Sequence, residues 1–395
     1  MSSERSSATL HLARVGGRAR VHPWIYRGEI AGFEGAPEPG GLVAVADGAG
    51  AFVGHGFYNP RTSLACRILS RRDEPIDAAW FAGRIGEAVA YRRSRGLAGE
   101  AHRLVWSEGD GLPGLVIDRY GDDVVVVQCL TLGMSGALPW IAAGIRATLG
   151  DLAIYVSDDP AAARIEGFEP RRAWLDRAGP DAVTVGEGSA RFVVRFGLGH
   201  KSGFYLDQAE NRLRVARWAA GRSVLDAFSY TGAFAVHALA AGAERAVCVE
   251  SSPEALAGAA ANLELNGLGG RAELREANAF DELRRLERAR ARFGLVILDP
   301  PPFTRRKAAV DAAARGYKEI NLRAMRLLEV GGMLATFSCS HHVSAALFAE
   351  VCRAAAEDAG VTLRTLEALT QSRDHPVLLT VPETRYLKGL LLERL

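Results

Sequence analysis

The sequence predicts a multidomain protein with an N-terminal β-barrel, a small α+β middle domain and a C-terminal α/β domain built on a doubly wound, mainly parallel sheet. Three observations carry this prediction. At 395 residues the chain is longer than a single hydrophobic core usually supports, so two or three domains are expected. From about Leu10 to Ser70 it consists of short alternating segments divided by turn residues. From Ser223 onward, apolar strands alternate with helical segments, the pattern of a parallel sheet covered by helices.

The barrel, assigned to residues 1–73, is read from "ARVHPWIYRGEI", "GLVAVADGAG", "AFVGHGFYN" and "LACRIL", separated by Gly, Pro and Asn turns. After the charged link "SRRDEPID", the segment from Ala78 to Arg95 carries apolar residues at helical spacing and Gly96 stops it, so a linker helix is expected. It opens a middle domain assigned to residues 74–190. There "RLVWSEGDG", "GLVIDRYGDDVVVVQCL", "LPWIAAGIRATLG", "LAIYVSDD" and "AVTVGEGSARFVVRF" place strands around one helix, with a hairpin turn at "GEGS". Two carboxylates in the Gly/Pro turn "EGDGLPG" read as turn chemistry rather than a metal loop.

The third domain, assigned to residues 191–395, has strands at "SVLDAF", "AVCVE", "AELREANAF", "LVILDP" and "GMLATFS". The closing "LLTVPETRYLKGLLLERL" is expected to fold back as a hairpin. In such sheets ligands sit outside the carboxyl ends of the strands. Three strands end there in polar residues, at Asp226 to Thr231, Asp299 and Cys339.

Composition removes several function classes. Hydrophobic content of 48% with 24% charged residues is that of a folded soluble chain, without low-complexity tracts. No apolar run approaches the roughly 18 residues of a membrane span. The five cysteines are odd in number and irregularly spaced, and the N-terminus lacks the apolar core of a signal peptide, so a reducing, cytoplasmic setting is expected. A net charge of +2 does not argue for nucleic-acid binding, but arginines cluster in "ARVGGRARVHPWIYRGE", "ILSRRDE", "YRRSRG", "EPRRAW" and "FTRRKA". Arginine forks suit phosphate oxygens, although any one cluster alone reads equally as solvated surface.

The stretch "VLDAFSYTGAFAVHALAAGA" places an acid at a strand end, then a turn containing Gly232, then a helix; Glu250 ends the next strand. This is the spacing of a nucleoside-binding βαβ unit, with Glu250 placed to accept from ribose hydroxyls. The turn lacks the G-x-G-x-x-G that lets backbone approach a pyrophosphate, so a nucleoside without phosphates fits better. S-adenosylmethionine is such a ligand, and its ammonium would pair with Asp226. The plain alternative is an ordinary strand–helix turn. In "ILDPPPF", Asp299 lies where a methyl acceptor would meet the sulfonium. Pro300 and Pro301 fix the turn, and Phe303 offers a face for a flipped base, with Arg305 close behind in sequence.

"LATFSCSHHVSAALF" ends an apolar strand in a cysteine, whereas Cys66, Cys129, Cys248 and Cys352 sit in apolar patterns as small hydrophobes. Cytosine C5 is too electron-poor to take a methyl group unaided, and a thiolate adding to C6 supplies the electrons. A helix beginning near Ser344 would favour that thiolate. Asp299 would then hydrogen-bond or protonate N3. The plain reading of Cys339 is a partly exposed structural thiol, and of His341 and His342, polarity before a helix. Zinc is disfavoured because these three crowd together with no second ligand pair, so no metal is expected.

On "HPWIYRGEI", "SEGDGLPGLVIDRYGD", "GHKSGFYLDQAENR", "LDAFSYTGAF", "LDPPPF", "SCSHHV" and "DHPVLLTVPETRYLKG", in that order, the chain resembles the bacterial 23S ribosomal RNA cytosine-5 methyltransferases. These have an N-terminal PUA domain, a strand-rich middle domain and a Rossmann-like class I methyltransferase domain. The resemblance implies that Cys339 attacks the base. It implies that S-adenosylmethionine lies among Asp226, Phe228, Ser229, Tyr230, Thr231, Gly232, Glu250, Ser251, Asn278, Ala279, Phe280 and Asp299. Lys201, Phe204, Asp207, Gln208 and Arg212 would lie across its methionine end. Ribosomal RNA is the implied partner, and homodimerisation is an expectation of the family. Two departures stand out. Asn278 replaces an acid that would contact adenine, leaving Asp281 as a second candidate, and "LDPPPF" lacks the second cysteine of other cytosine-5 RNA methyltransferases, so product release needs another base. Two other functions remain open: methylation of guanine at N7 or an exocyclic amine, and an inactive RNA-binding assembly factor.

Overall fold

The computed structural model describes residues 8–14, 16–197, 203–304 and 307–395, and the chain divides into two compact units. Unit 1 comprises residues 1–183, 195–203 and 374–384; unit 2 comprises 184–194, 204–373 and 385–395.

In unit 1 the first sheet contains β1 (Thr9–Leu12), β2 (Trp24–Tyr26), β3 (Ile30–Glu34), β4 (Leu42–Ala46), β5 (Phe52–Tyr58) and β6 (Leu64–Ser70), with a short helix α1 (Gly17–Val21) after β1. Their order is β2-β6-β5-β4-β1-β3. Every second residue points inward, so Leu10 and Leu12, Val43 and Val45, and Cys66 and Ile68 make one small core with Ile25.

Helix α2 (Ala78–Ser94) follows. Asp77 caps it by accepting from the Trp80 N–H at 3.0 Å, and Gly96, at φ +64°, ends it. The second sheet is built from β7 (Ala101–Trp106), β8 (Leu115–Tyr120), β9 (Val124–Cys129), β10 (Ala153–Ser157) and β11 (Arg172–Trp174) in the order β11-β10-β9-β8-β7. Helices α3 (Leu132–Gly136) and α4 (Leu138–Leu149) lie between β9 and β10, and α5 (Pro160–Glu166) lies between β10 and β11. Phe81, Ile85 and Val89 of α2 and Ile141 and Ile145 of α4 close over Val105, Ile117, Val125 and Val127. The acidic turn is structural: Asp110 accepts from the buried Arg92 guanidinium and from the Trp106 N–H at 2.6 Å.

Residues 374–384 belong to this unit, where the sequence suggested one arm of a terminal hairpin. Pro376 and Pro382 keep the segment out of a ladder. The buried Asp374 carboxylate instead accepts from the Arg103 N–H at 2.8 Å, and its backbone carbonyl accepts from Arg92.

Unit 2 begins with the hairpin β12 (Ala182–Glu187) and β13 (Ala190–Arg195), most of which lies in it, and with α6 (Ala209–Ala216). Then come β14 (Ser223–Ala227), α7 (Ala233–Ala240), β15 (Arg245–Glu250), α8 (Pro253–Leu265), β16 (Ala272–Glu276), α9 (Ala279–Arg288) and β17 (Phe293–Leu298). The chain finishes with α10 (Val310–Leu327), β18 (Leu328–Ser338), α11 (Ala345–Ala359), β19 (Leu363–Thr370) and β20 (Lys388–Arg394). The seven-stranded order is β16-β15-β14-β17-β18-β20-β19, parallel except for β20, which enters antiparallel between β18 and β19. The chain winds outward from β14 to β16 and returns at β17, so the topological switch lies between β14 and β17. Leu225, Val247, Val249, Val296 and Leu298 pack under Leu283, Tyr317, Ile320 and Phe348 of the helices. Residues of the other parity, Val224, Cys248 and Ile297, face the opposite side, where α7 is buried against β14 and β15. No helix among the described residues is long and apolar enough to cross a membrane.

Candidate functional site

The sheet order sets β15, β14, β17 and β18 side by side, and parallel pairing brings their carboxyl ends to one edge of unit 2. Asp226 pairs in register with Cys248 and Ile297, and Ile297 with Ala335. Glu250, Asp226, Asp299 and Cys339 therefore occupy four neighbouring strand ends.

Asp226 is fully buried. One carboxyl oxygen accepts from the Ala235 N–H at 3.1 Å, in the first turn of α7; the other has no partner among the described residues. Burial, reinforced by the charges of Asp299 and Glu250, pushes its carboxyl up to about 8 against the Ala235 bond. An orphaned oxygen on a buried carboxyl is a site that a cation would complete.

The turn after β14 is wound tightly, with Phe228, Tyr230 and Gly232 all at positive φ, of 66°, 49° and 73°. Only at Gly232 is that conformation free of a side-chain penalty, and a Cβ there would also approach Ala259 Cβ to 3.1 Å. Two non-glycine residues in this region mark backbone held by its surroundings. The Ser229 N–H donates to Val249, the Gly232 N–H to Ser229, and the Thr231 carbonyl accepts from Asn262 at 2.9 Å. The Ser229 hydroxyl is buried without a partner among the described residues. Glu250 is fixed from several sides, accepting from the N–H groups of Tyr230 (3.0 Å), Ser251 (2.7 Å) and Ser252 (3.0 Å).

Asn278 caps α9 by accepting from the Phe280 N–H at 2.9 Å, with Ala279 buried behind it. Asp281 is exposed and turned to Arg284 at 3.3 Å. Phe280, Phe228 and Phe303 form an aromatic cluster, and Phe303 lies 4.5 Å from the Tyr317 ring, so one of its faces is engaged within the unit. Pro300 is buried and Pro301 exposed.

The stretch from Phe204 into α6 splits in two. Gln208 Nε2 donates to Asp299 Oδ1 at 2.9 Å, and Asp207 accepts from the Tyr386 hydroxyl at 2.5 Å. Phe204 and Arg212 are drawn into the packing behind: Arg212 stacks 4.6 Å from the Phe204 ring and bonds both oxygens of Glu187. Burial works to raise Glu187, but Arg212 and His237 outweigh it and hold the carboxyl at about 2. Lys201 and Arg305 lie outside the described residues.

Cys339 alone of the five cysteines is partly exposed. Its thiol points to the Pro300 carbonyl, 3.7 Å away. Burial pushes Cys66 and Cys352 up to about 12 and also raises Cys129 and Cys248 well above the ordinary thiol value, so these four are inert thiols. Around Cys339, Tyr317 meets the Ser340 hydroxyl at 2.9 Å and His341 stacks on Tyr386. The Tyr205 ring lies 5.0 Å from that of Tyr230, and its phenol is raised first by burial and then by the charges of Tyr230, Asp207, Asp299 and Cys339. Lys388 is also here, 9% exposed, with its ammonium donating to the carbonyls of Ser340 and Tyr386. Sequence reasoning singled out neither Tyr205 nor Lys388. For Lys388 a signal existed, because it is one of only four lysines in a chain that elsewhere carries its positive charge on arginine.

Comparison with known proteins decides the family. Residues 167–391 match the S-adenosylmethionine-dependent methyltransferases. The chain belongs to that family. Residues 14–71 match the PUA-like domain. Relatives include the ribosomal RNA large subunit methyltransferase I of Erwinia tasmaniensis, 38% identical over 94% of each chain, and that of Pseudoalteromonas atlantica, 38% identical over 98% of each. The fold also matches a solved structure described as a SAM-dependent methyltransferase from Streptococcus mutans, with a TM-score of 0.83 at 19% identity over 98% of this chain and 99% of that one. As a member of the methyltransferase family, the protein uses S-adenosylmethionine as methyl donor.

Proposed function

We propose that this methyltransferase forms 5-methylcytosine in large-subunit ribosomal RNA through a covalent bond between Cys339 and C6 of the target base. The observation that carries the reading is the partly exposed Cys339 thiol, 3.7 Å from the Pro300 carbonyl, next to the strand end that bears Asp299. The relatives named above are ribosomal RNA large subunit methyltransferases, which supports the substrate class.

The donor set fits the cofactor. The unpartnered Asp226 oxygen suits a cationic ammonium, and Glu250, already fixed by backbone N–H groups, keeps lone pairs for ribose hydroxyls. Asn278 lies at the end of the next strand, where adenine would be met. Bound there, S-adenosylmethionine supplies an electrophilic methyl group on its sulfonium.

The protein's residues do the rest. The Cys339 thiolate adds to C6, breaking the C5–C6 double bond and leaving C5 electron-rich. Asp299, steadied by Gln208, donates a proton or hydrogen bond to N3 and offsets the charge that develops on the ring. Once C5 carries the methyl group, a base takes the C5 proton, the C6–S bond breaks to release the thiolate, the C5–C6 double bond re-forms and any proton given to N3 returns to Asp299. The target base reaches such a pocket only when flipped out of its stack. In the barrel, Arg14, Arg20 and Arg71 line one groove and supply positions for phosphate oxygens.

The test is Cys339→Ala with unmodified ribosomal RNA and labelled cofactor, followed by mass spectrometry of the nucleosides. The variant is expected to bind S-adenosylmethionine and form no 5-methylcytidine. Full transfer by the variant, or methylated guanosine in the wild-type product, overturns the reading.

A further inference from the structure

We propose that Lys388 is the base that takes the thiol proton from Cys339 and then, as an ammonium, holds the thiolate ready for attack. The inference deepens the reading above and rests on Cys339 as nucleophile.

The argument begins with the sheet. Strand β20 runs antiparallel beside β18, and their register sets Lys388 opposite Ser338, the residue before Cys339. From that position the side chain turns along the strand end, and its Nζ donates to the carbonyls of Ser340 and Tyr386, the latter at 3.0 Å. The amine is therefore bonded to the residue on one side of the thiol while its own backbone pairs with the residue on the other.

The charge of this amine is the unusual feature. A buried ammonium normally faces a carboxylate. Lys388 is 9% exposed and bonded to two neutral carbonyls, and it forms no ion pair among the described residues. A thiolate at Cys339 is the counter-charge that the site can generate for itself. Burial pulls the ammonium down to about 8, while a charged Cys339 works to raise it. That brings the amine close to the ordinary thiol value of about 8.5, so the two groups differ little in their hold on a proton. Arginine could not do this, because it stays protonated.

The remaining titratable groups around the sulfur do not replace it. Asp299, at the end of β17, and Asp207, before α6, are carboxyl groups that oppose a thiolate. Tyr205 and Tyr317, from α10, are raised by burial and stay neutral. His341 stacks on Tyr386, whose hydroxyl is committed to Asp207. The step balances: the S–H bond of Cys339 breaks, an N–H bond forms on the neutral Lys388 amine, and a thiolate–ammonium pair results.

The test reads the thiol directly, in the full-length protein without RNA or cofactor. The rate of Cys339 alkylation by iodoacetamide is followed from about pH 5 to about pH 10, by mass spectrometry of the Cys339 peptide. The wild-type midpoint is expected below the ordinary thiol value of about 8.5. Lys388→Gln, whose amide can still donate to a carbonyl, should move the midpoint up by about one pH unit or more, a roughly tenfold loss of rate near neutrality. Lys388→Arg, which keeps the charge, should bring the midpoint back down. A wild-type midpoint at or above about 8.5, or an unchanged one in Lys388→Gln, overturns the proposal. The wild-type measurement decides even where a variant folds poorly. Failure of the cytosine reaction is separate: methyl transfer by Cys339→Ala would remove that reaction while leaving the coupling between thiol and amine intact.

Discussion

Gln208 stands between Asp299 and Asn211, donating through Nε2 to Asp299 Oδ1 at 2.9 Å and accepting through Oε1 from Asn211 Nδ2 at 2.7 Å. The second bond prevents the amide from turning over, so Asp299 is always offered a donor and its other oxygen is aimed by default. Gln208→Leu removes both bonds at similar volume. A hydrogen bond to an acidic group contributes about 1.5–3 kcal/mol, so kcat for methyl transfer should fall roughly 10–100-fold. The KM for S-adenosylmethionine should move less, because the lost bond acts on the acid rather than on the cofactor. Equal losses in both constants would make Gln208 a binding residue instead.

Glu187 gives a prediction about stability. Its carboxylate, buried in the hairpin, holds Arg212 by two bonds and His237 by a third at 2.9 Å. Its folded value of about 2 lies below the unfolded value of about 4.3, so the stability it adds is present above that higher value and is lost as pH falls through about 2. Glu187→Gln leaves the Arg212 charge buried and uncompensated, and should cost about 3–5 kcal/mol at neutral pH. Urea denaturation at a series of pH values checks this, since the gap between variant and wild type should close toward acid. A gap that stays constant from neutrality to about pH 2 would mean that the pair contributes through packing rather than charge.

What the sequence made legible follows from the sheet. A parallel strand that is buried on both faces is an unbroken apolar run, so the polar residue ending it stands out, and Asp226, Asp299 and Cys339 could be read in this way. Ser344 was visible as a cap for the same local reason, and it accepts from the Leu347 N–H as expected of one. Lys388 was hidden because its neighbourhood is set by antiparallel register with β18, which depends on β20 inserting next to that strand. Arg212 and Phe204 were hard to place because α6 is short, and spacing along the chain does not say which of its faces meets the β12–β13 hairpin. The Asp374 segment escaped for a related reason: its partner, the Arg103 backbone, lies in a distant stretch of chain.

Asp226 predicts the opposite pH behaviour to Glu187. Its folded value of about 8 lies above the unfolded value of about 3.9, so the folded state holds a proton that the unfolded state has lost. Stability from this group is full below the unfolded value and is lost as pH rises through the folded one, at up to about 1.4 kcal/mol per pH unit in between. In Asp226→Asn that slope is absent. The cofactor-free variant should therefore gain on the wild type as pH is raised from about 4 to about 8, visible as a converging or crossing pair of melting curves. Its affinity for S-adenosylmethionine should fall at least about tenfold, because an amide cannot balance an ammonium. Parallel melting curves across the window would show that the carboxyl is already ionised in the folded protein.

Asn278 and Asp281 divide the last question, which of them meets adenine. Asn278 uses its side-chain oxygen to cap α9, while Asp281 lies on the exposed side of that helix and leans toward Arg284. An aspartate caps a helix as well as an asparagine does and adds a favourable charge at its N-terminus. Asn278→Asp should therefore keep the fold and, by offering a full negative charge to the adenine amine, tighten S-adenosylmethionine binding several-fold. Asn278→Ala loses the cap, costing about 1 kcal/mol, and should weaken binding as well. Asp281→Ala should leave the cofactor Kd unchanged, since the exposed pair with Arg284 contributes little. Calorimetric titration of the three variants decides the matter: a loss of affinity confined to Asp281→Ala would move the adenine contact one turn along the helix.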